Sequence, residues 1–269
     1  MVGIMKYSKH AIELREWTSD LRSEPDLVYY HYGALACDDI KTILEHPKVK
    51  VGVGVLGLRN FNFLFIYDNQ FSKIEKRVTG VMGLGDTYVD MIKSKTTIPV
   101  YNFEVGVDLD MFKKTEPPKN FCIGMAEIFQ HPEVDSVLKR FISYPFPKKT
   151  SCEGIGTDRA FTDMPDFYSQ ISVFIDNVTD PRPGGMMFLE AGAVGRPVIC
   201  MKSGIYAKWF PEEWLAVDDK DVVNKITSLR DDQDLYKNTA EQWYNIARSR
   251  SYEEVTKEFD YAFDKMLEG

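Results

Sequence analysis

Two patterns of apolar and polar residues alternate along most of the chain. Short apolar runs, typical of buried strands, are separated by segments with apolar residues three and four positions apart, as in amphipathic helices. This alternation predicts an α/β fold built on doubly wound parallel sheets. Strands are predicted at residues 27–30, 49–56, 62–67, 78–83, 100–103, 120–123, 172–175, 197–201 and 214–217. Helices are predicted at residues 10–21, 86–95, 132–143, 166–170, 220–228, 235–248 and 252–267.

The segment 183–204 gives the most detailed local prediction. Gly184 and Gly185 follow a proline in a loop, and an apolar, alanine-rich helix is predicted from Met186. This helix contains a single carboxylate, Glu190, and ends at a Gly-Arg-Pro sequence before a short buried strand. The free N–H groups and the dipole at the start of such a helix favour an anion. The segment is therefore typical of a nucleotide-binding site.

Four stretches of the sequence resemble one family in the same order along the chain. LEAGAVGRPVI at 189–199, followed by a glycine loop, resembles the donor-site segment of the retaining GT-B glycosyltransferases of family four. VYNFEVGVDLDMF at 100–112 is similar to that family's linker between its two Rossmann-like domains, and PDLVYYHYG at 25–33 to a strand end of its N-terminal domain. The segment from 251 to the end resembles its closing helix.

The resemblance implies a particular domain organisation. It implies a shortened N-terminal, acceptor-side Rossmann-like domain at 1–112 and a nucleotide-sugar-binding Rossmann-like domain at 113–250. A C-terminal helix at 251–269 is expected to cross back and pack on both domains. Because only 24 residues precede Pro25, we expect the N-terminal domain to be truncated or remodelled relative to the family.

The resemblance also implies a donor site. Glu190 stands where the family's second glutamate of an E-x7-E pair hydrogen-bonds the nucleotide ribose, and a carboxylate suits two vicinal hydroxyls. The ring of Tyr168 lies in the segment that borders the base in the family, although such aromatic residues are more often core. The implied donor-binding residues are Glu190, Gly184, Gly185, Met186, Gly204, Gly124 and Tyr168.

The sequence departs from the family pattern at its charged residues. The first glutamate of the pair is absent: Arg182 stands eight residues before Glu190, and Asp180 lies two positions further back. The family's phosphate-binding Arg and Lys, expected just after Gly124, are also absent. We expect Arg182 to clamp the diphosphate and Asp180 to replace the missing carboxylate, the alternative for Arg182 being a solvated loop arginine.

His31 completes the candidate catalytic set, with Arg182 and Asp180. It follows a predicted strand at the carboxyl end, where α/β proteins place their sites, and a contact to the acceptor or the sugar is one interpretation. A hydrogen-bonded structural histidine is the other. The glycines Gly52, Gly54 and Gly57 have the spacing G-x-G-x-x-G, but no amphipathic helix or suitably placed acid follows, so we do not predict dinucleotide binding.

Composition limits the partners. A net charge of -8 and a pI near 5.2 argue against a broad nucleic-acid surface. The four cysteines lack CxxC spacing, so neither a zinc site nor a disulfide framework is expected. Neither a signal peptide nor a membrane span is evident, which predicts a cytoplasmic protein. Lys139-Arg140 and Lys148-Lys149 leave peripheral membrane contact open, and apolar surface on a truncated domain leaves a homodimer open.

These observations predict a glycosyltransferase that uses a nucleotide-diphospho-sugar as donor substrate, with retention of configuration and without a metal or other cofactor. The acceptor stays open between a glycan, a lipid carrier, a small molecule and a modified DNA base. The missing charged residues also allow a catalytically impaired subunit that binds nucleotide sugars or regulates a partner. A pure interaction protein on the same fold is a third alternative.

Overall fold

The computed structural model describes residues 2–12, 25–38, 40–67, 70–126, 134–151, 161–176, 185–202 and 209–269. The chain divides into two compact units. The first unit consists of Met1–Val105 and Tyr252–Gly269, and the second of Gly106–Ser251. Each unit contains one parallel sheet and the helices that cover it.

The strands are β1 Leu27–Tyr30, β2 Lys50–Val55, β3 Val78–Leu84, β4 Val100–Phe103, β5 Ile123–Met125, β6 Lys148–Thr150, β7 Val173–Asp176, β8 Val198–Met201 and β9 Leu215–Ala216. The helices are α1 Val2–Tyr7, α2 Ala34–Asp38, α3 Ile40–Glu45, α4 Leu58–Asn62, α5 Phe71–Ile74, α6 Gly85–Lys93, α7 Val134–Ser143, α8 Met164–Ser169, α9 Met186–Ala193, α10 Asp219–Asp231, α11 Gln233–Ser249 and α12 Tyr252–Glu268. The segment Phe63–Tyr67 is a π-helical turn.

Within the described residues, the strand order is β1-β2-β3-β4 in the first unit and β6-β5-β7-β8-β9 in the second, and neighbouring strands pair in parallel. The predicted α/β class with parallel sheets is confirmed. In the second unit the chain moves from β5 to β6 on one side and then to β7 on the other. Doubly wound sheets bind their ligands outside the carboxyl ends of strands at such a reversal.

Glycines line one face of the first unit's sheet. A methyl group on Gly52 or on Gly80 would lie 2.7 or 2.6 Å from Met266 of α12, and one on Gly54 would meet the carbonyl oxygen of His31. The alternation Val-Gly-Val-Gly-Val in β2 therefore presents buried valines to one face and admits α12 closely on the other. This packing accounts for two of the three glycines whose spacing resembles a dinucleotide fingerprint.

The C-terminal helix α12 belongs to the first unit. Phe259, Phe263 and Met266 are buried against the sheet. The segment after α1 is joined to the same helix, because Lys9 donates to Asp264 over 2.5 Å and Ser8 donates to Asp260. The start and the end of the chain thus pack together in one unit.

Several sequence predictions of secondary structure differ from the structure. The strand predicted at 120–123 is β5, which begins only at Ile123, and short helices such as α2 and α3 were not predicted. The apolar run 62–67 was expected as a strand but is helical, from the end of α4 through the π-helical turn. Apolar residues alone do not distinguish a short buried strand from a helix, and this run is part of the crossover between the parallel neighbours β2 and β3. Strand β6 was missed because its sequence, Lys-Lys-Thr, is polar; it is the last strand at one edge of its sheet.

Other predictions fall partly outside the described residues. Of the helix predicted at 10–21, residues 13–21 are not described, and 10–12 are not helical; the described N-terminal helix is α1. Cys37, Cys122 and Cys200 are buried, whereas Cys152 is not described.

We expect Gly54→Ala to destabilise the first unit by about 1–3 kcal/mol, because the new methyl group would press on backbone and force the strand to shift. Gly57→Ala is the matched control, since a methyl group there would meet no atom within 4 Å. Urea unfolding of both variants measures the difference. Equal losses for the two would contradict the close-packing explanation.

Candidate functional site

The candidate site lies in the second unit, on α9 and the helix that packs beside it, α8. Because α9 connects the parallel strands β7 and β8, its first turn lies toward the carboxyl end of β7. Gly185 is the N-cap residue and has no side chain to bond the free N–H groups of the first turn. Met186 is 48% exposed, whereas the helix is buried from Phe188 onward.

Two glycines explain how an almost wholly apolar helix is accommodated. A methyl group on Gly192 would lie 2.8 Å from the carbonyl oxygen of Trp243, so α9 packs directly on the backbone of α11. Gly195 has a φ of +82°, the left-handed conformation that commonly terminates helices, and its N–H donates to the carbonyl of Gly192 over 2.8 Å. Both positions hold α9, and Glu190 with it, in one place.

Glu190 is a buried acid with a single partner among the described residues. The residue is only 5% exposed, and its Oε2 accepts a hydrogen bond of 2.8 Å from the hydroxyl of Tyr168. Burial raises the pKa of Glu190 to about 7, and the bond from Tyr168 opposes that rise. The same carboxyl and burial hold the pKa of Tyr168 well above its usual range.

The ring of Tyr168 is part of the core. It is 0% exposed, and its centroid lies 6.0 Å from that of Phe112, 5.2 Å from Phe167 and 5.6 Å from Phe174. Stacking on a nucleotide base, the role considered from the sequence, needs an open ring face, and this ring has none. Tyr168 therefore reaches the candidate site through its hydroxyl.

Arg196 is the residue that sequence reasoning missed. The notable signal was a charged residue between Gly195 and a proline, immediately before a buried strand, which we interpreted only as a helix end. Its side chain is 0% exposed, and burial lowers its pKa, yet an arginine remains protonated. Its guanidinium donates at 2.6–3.4 Å to the hydroxyl of Thr115 and to the carbonyl oxygens of Thr115, Glu116, Tyr168, Ser169, Val194 and Gly195.

The remaining predicted donor-site residues are only partly described. Gly124 lies in β5, where a methyl group would come 2.5 Å from the side chain of Ile171, so packing explains its small size. Asp180, Arg182, Gly184 and Gly204 lie outside the described residues. Their roles as phosphate or sugar contacts stay predictions.

His31 lies in the first unit, directly after β1. Rings of Tyr29, Phe103 and Phe259 surround it, with centroids 5.9, 6.0 and 6.5 Å away. Burial lowers the pKa of His31 to about 4, so its imidazole is neutral at physiological pH. Its Nδ1 is buried and has no hydrogen-bond partner among the residues that the structure describes, which leaves one polar atom for a ligand or a water molecule.

The basic clusters are partly engaged within the protein. Lys148 donates to the carbonyl oxygens of Ile142 and Tyr144, at 2.7 and 2.8 Å, and Lys149 donates to Gln170. In the described part of the chain, no helix combines the length and the apolar character needed to cross a membrane. Nor do the described residues contain three or more His, Cys, Asp or Glu side chains grouped to hold a metal ion.

Two α/β units, each with one parallel sheet, define the class of fold, which is the GT-B fold of glycosyltransferases. Neither a family model nor a curated protein matches this chain. Among solved structures, it is similar to sucrose-phosphate synthase from Thermosynechococcus elongatus, with a TM-score of 0.70 and 11% identity over 90% of this chain and 74% of that one.

Two similar structures contain nucleotides. Anabaena HepE in complex with UDP and glucose has a TM-score of 0.68 and 13% identity, over 89% of this chain and 78% of that one. The pneumococcal O-GlcNAc transferase GtfA in complex with UDP and GlcNAc has a TM-score of 0.60 and 15% identity, over 90% of this chain. This chain spans 57% of the length of that GtfA chain and 59% of the matched chain of a GtfA/B complex.

We expect the stability of the protein to fall as the pH rises across the pKa of Glu190. The folded-state pKa of about 7 exceeds the ordinary value of 4.5, so between these values the folded state binds more protons than the unfolded state. The contribution of Glu190 to the free energy of unfolding is fully present below pH 4.5 and is lost above pH 7. It amounts to roughly 3 kcal/mol. Urea unfolding of the wild type and of Glu190→Gln across this pH range separates the contribution of Glu190 from that of other titrating groups. Parallel curves of stability against pH for the two proteins would contradict the prediction.

We expect Arg196→Met to lower the free energy of unfolding by roughly 3 kcal/mol or more, since it leaves several buried carbonyl oxygens without donors. The fluorescence of Trp243, which is 0% exposed in the same unit, reports unfolding in urea. Arg230→Met is the control, because Arg230 pairs with Asp231 at the surface and should matter little. A loss no larger than that of the control would contradict the role of Arg196.

Proposed function

We propose that this protein is a glycosyltransferase that transfers a sugar from a nucleotide-diphospho-sugar to an acceptor. The observation that carries the proposal is the buried carboxyl of Glu190, whose Oε2 accepts a hydrogen bond from Tyr168. Glu190 lies on α9, the helix after β7, where the strand order of the second sheet reverses. The other oxygen, Oε1, accepts no hydrogen bond from the described residues. A ribose hydroxyl is a suitable donor to it.

The electrostatics of α9 support binding of the diphosphate as well as the ribose. The helix begins at Met186 with no acidic residue in its first turn, and glycine is its N-cap residue. Such a helix start presents N–H groups and a positive dipole end to an anion. We assign Arg182 and the glycine loops beside it to the phosphates, and Asp180 to the sugar, as the sequence predicts.

The similar structures guide the choice of donor. HepE and GtfA were solved with UDP, together with glucose and GlcNAc respectively. We therefore propose UDP-glucose and UDP-GlcNAc as the first donors to test. The proposal includes retention of configuration and independence from metal, which the family resemblance implies. The acceptor is to be sought among glycans, lipid carriers, small molecules and modified DNA bases.

We expect at least one nucleotide sugar to raise the melting temperature of the wild type and to leave that of Glu190→Gln unchanged. A ligand at one hundred times its Kd stabilises the folded state by about 2.7 kcal/mol. The panel comprises UDP, GDP, ADP, CMP and their common sugar conjugates, measured with and without EDTA. Glu241→Gln is the control, since Glu241 is an exposed acid of the same unit that pairs with Lys114.

The outcomes of this screen separate the alternatives. An unchanged melting temperature with every nucleotide would overturn the proposal and favour a pure interaction protein. Binding that survives Glu190→Gln would remove Glu190 from the site. Binding without slow hydrolysis of the bound donor would favour a binding or regulatory subunit, whereas release of free sugar in the absence of acceptor would support an enzyme. Loss of binding in EDTA would contradict metal independence.

A further inference from the structure

The hydroxyl of Tyr168 has little freedom to move. The ring is fully buried among Phe112, Phe167 and Phe174, so rotation about its side-chain bonds would require these rings to move with it. The hydroxyl therefore occupies one position, and its hydrogen bond to Oε2 of Glu190 constrains where that carboxyl group points.

The backbone of Tyr168 is held as firmly as its ring. Nε of Arg196 donates to the carbonyl oxygen of Tyr168 over 3.0 Å, and another guanidinium nitrogen donates to Ser169 over 3.4 Å. The same guanidinium bonds the carbonyl oxygen of Thr115 over 3.0 Å. These contacts fix the last turn of α8, from which the Tyr168 ring extends toward α9.

From this arrangement we infer that Tyr168 is a positioning residue for the donor site, acting through Glu190, and that Arg196 anchors it. The inference rests on the proposed function, because it assigns Tyr168 the task of orienting the carboxyl that receives the ligand. By occupying Oε2, the Tyr168 hydroxyl turns Oε1 into the acceptor for a ligand hydroxyl. It also favours the ionised carboxylate, which accepts stronger hydrogen bonds than the neutral acid.

The test compares Tyr168→Phe with Tyr236→Phe. Each variant removes one hydroxyl from a buried ring of the second unit. Tyr168 donates to Glu190 over 2.8 Å, and Tyr236 donates to the carbonyl oxygen of Ser172 over 2.8 Å. The two substitutions thus delete hydrogen bonds of equal length, and only the first touches the carboxyl. Any general effect of a lost buried hydroxyl appears in both variants.

The first measurement needs no ligand. Urea unfolding of the wild type and both variants is followed from about pH 5 to about pH 9, with Glu190→Gln as the baseline. We expect the loss of stability with rising pH to move to higher pH in Tyr168→Phe, since the bond that lowers the pKa of Glu190 is gone. In Tyr236→Phe the curve is expected to drop without moving along the pH axis.

The second measurement is calorimetric binding of UDP-glucose over the same pH range. UDP-glucose is suitable because its diphosphate diester carries no group that titrates near neutral pH. We expect Tyr168→Phe to bind about tenfold more weakly at neutral pH, and its half-maximal binding to move to higher pH. Tyr236→Phe is expected to bind like the wild type. In the Glu190→Gln background, Tyr168→Phe is expected to leave the ligand-free stability curve unmoved along the pH axis, since the carboxyl group that it controls is gone.

Three results decide the matter. Equal pH curves for the two tyrosine variants, or an undiminished effect of Tyr168→Phe in the Glu190→Gln background, would overturn the inference. A shifted ligand-free curve in Tyr168→Phe alone, together with weaker UDP-glucose binding, would support it. If that curve shifts while the wild type binds none of the nucleotide sugars, the control of Glu190 by Tyr168 stands and the proposed function fails.

Discussion

The organisation of the second unit depends on one buried cation. The guanidinium of Arg196 bonds carbonyl oxygens at the carboxyl ends of both α8 and α9. The last carbonyl groups of a helix lack partners within the helix and carry its negative dipole end. The guanidinium supplies donors to both ends and to the extended segment at Thr115. Its charge is balanced by oriented carbonyl dipoles of the backbone, so the cost of burying it is offset only while all three segments stay in place.

Arg196 also fixes the geometry of the candidate site, because it bonds the segments that carry Tyr168 and Glu190. Arg196 bonds the backbone of Tyr168, whose side chain bonds Glu190, and Glu190 lies on the helix that Arg196 also terminates. Arg196 thus holds Tyr168 through its backbone, and Tyr168 in turn holds the carboxyl group of Glu190. Burial raises the pKa of Glu190 to about 7, and the hydroxyl of Tyr168 partly offsets that rise by favouring the ionised carboxylate.

Sequence reasoning predicted the parallel α/β fold and most strands, because apolar periodicity is a property of neighbouring residues. A local family motif also singled out Glu190, whose role in donor binding stays a prediction. Sequence reasoning failed where the answer depends on distant residues. The helical run 62–67 is decided by its place in the crossover between β2 and β3, and the polar strand β6 by its place at the edge of a sheet. Arg196 looked like a helix terminator, since its acceptors at Thr115 and Tyr168 are far away in sequence. The ring of Tyr168 looked available for stacking because an exposed and a buried aromatic residue have the same local sequence pattern.

Both units use glycine to admit close packing of a helix, and the second unit adds a buried charge. The first unit removes side chains: Gly52 and Gly80 leave the space that Met266 fills, so close approach of α12 is a matter of shape. The second keeps a charged side chain inside and satisfies it through backbone oxygens. Shape complementarity fails gradually as volume is added, whereas a buried cation fails when its acceptors are lost. A site that must hold one carboxyl group in one orientation benefits from the second kind of constraint, because hydrogen bonds are directional and apolar contacts are not.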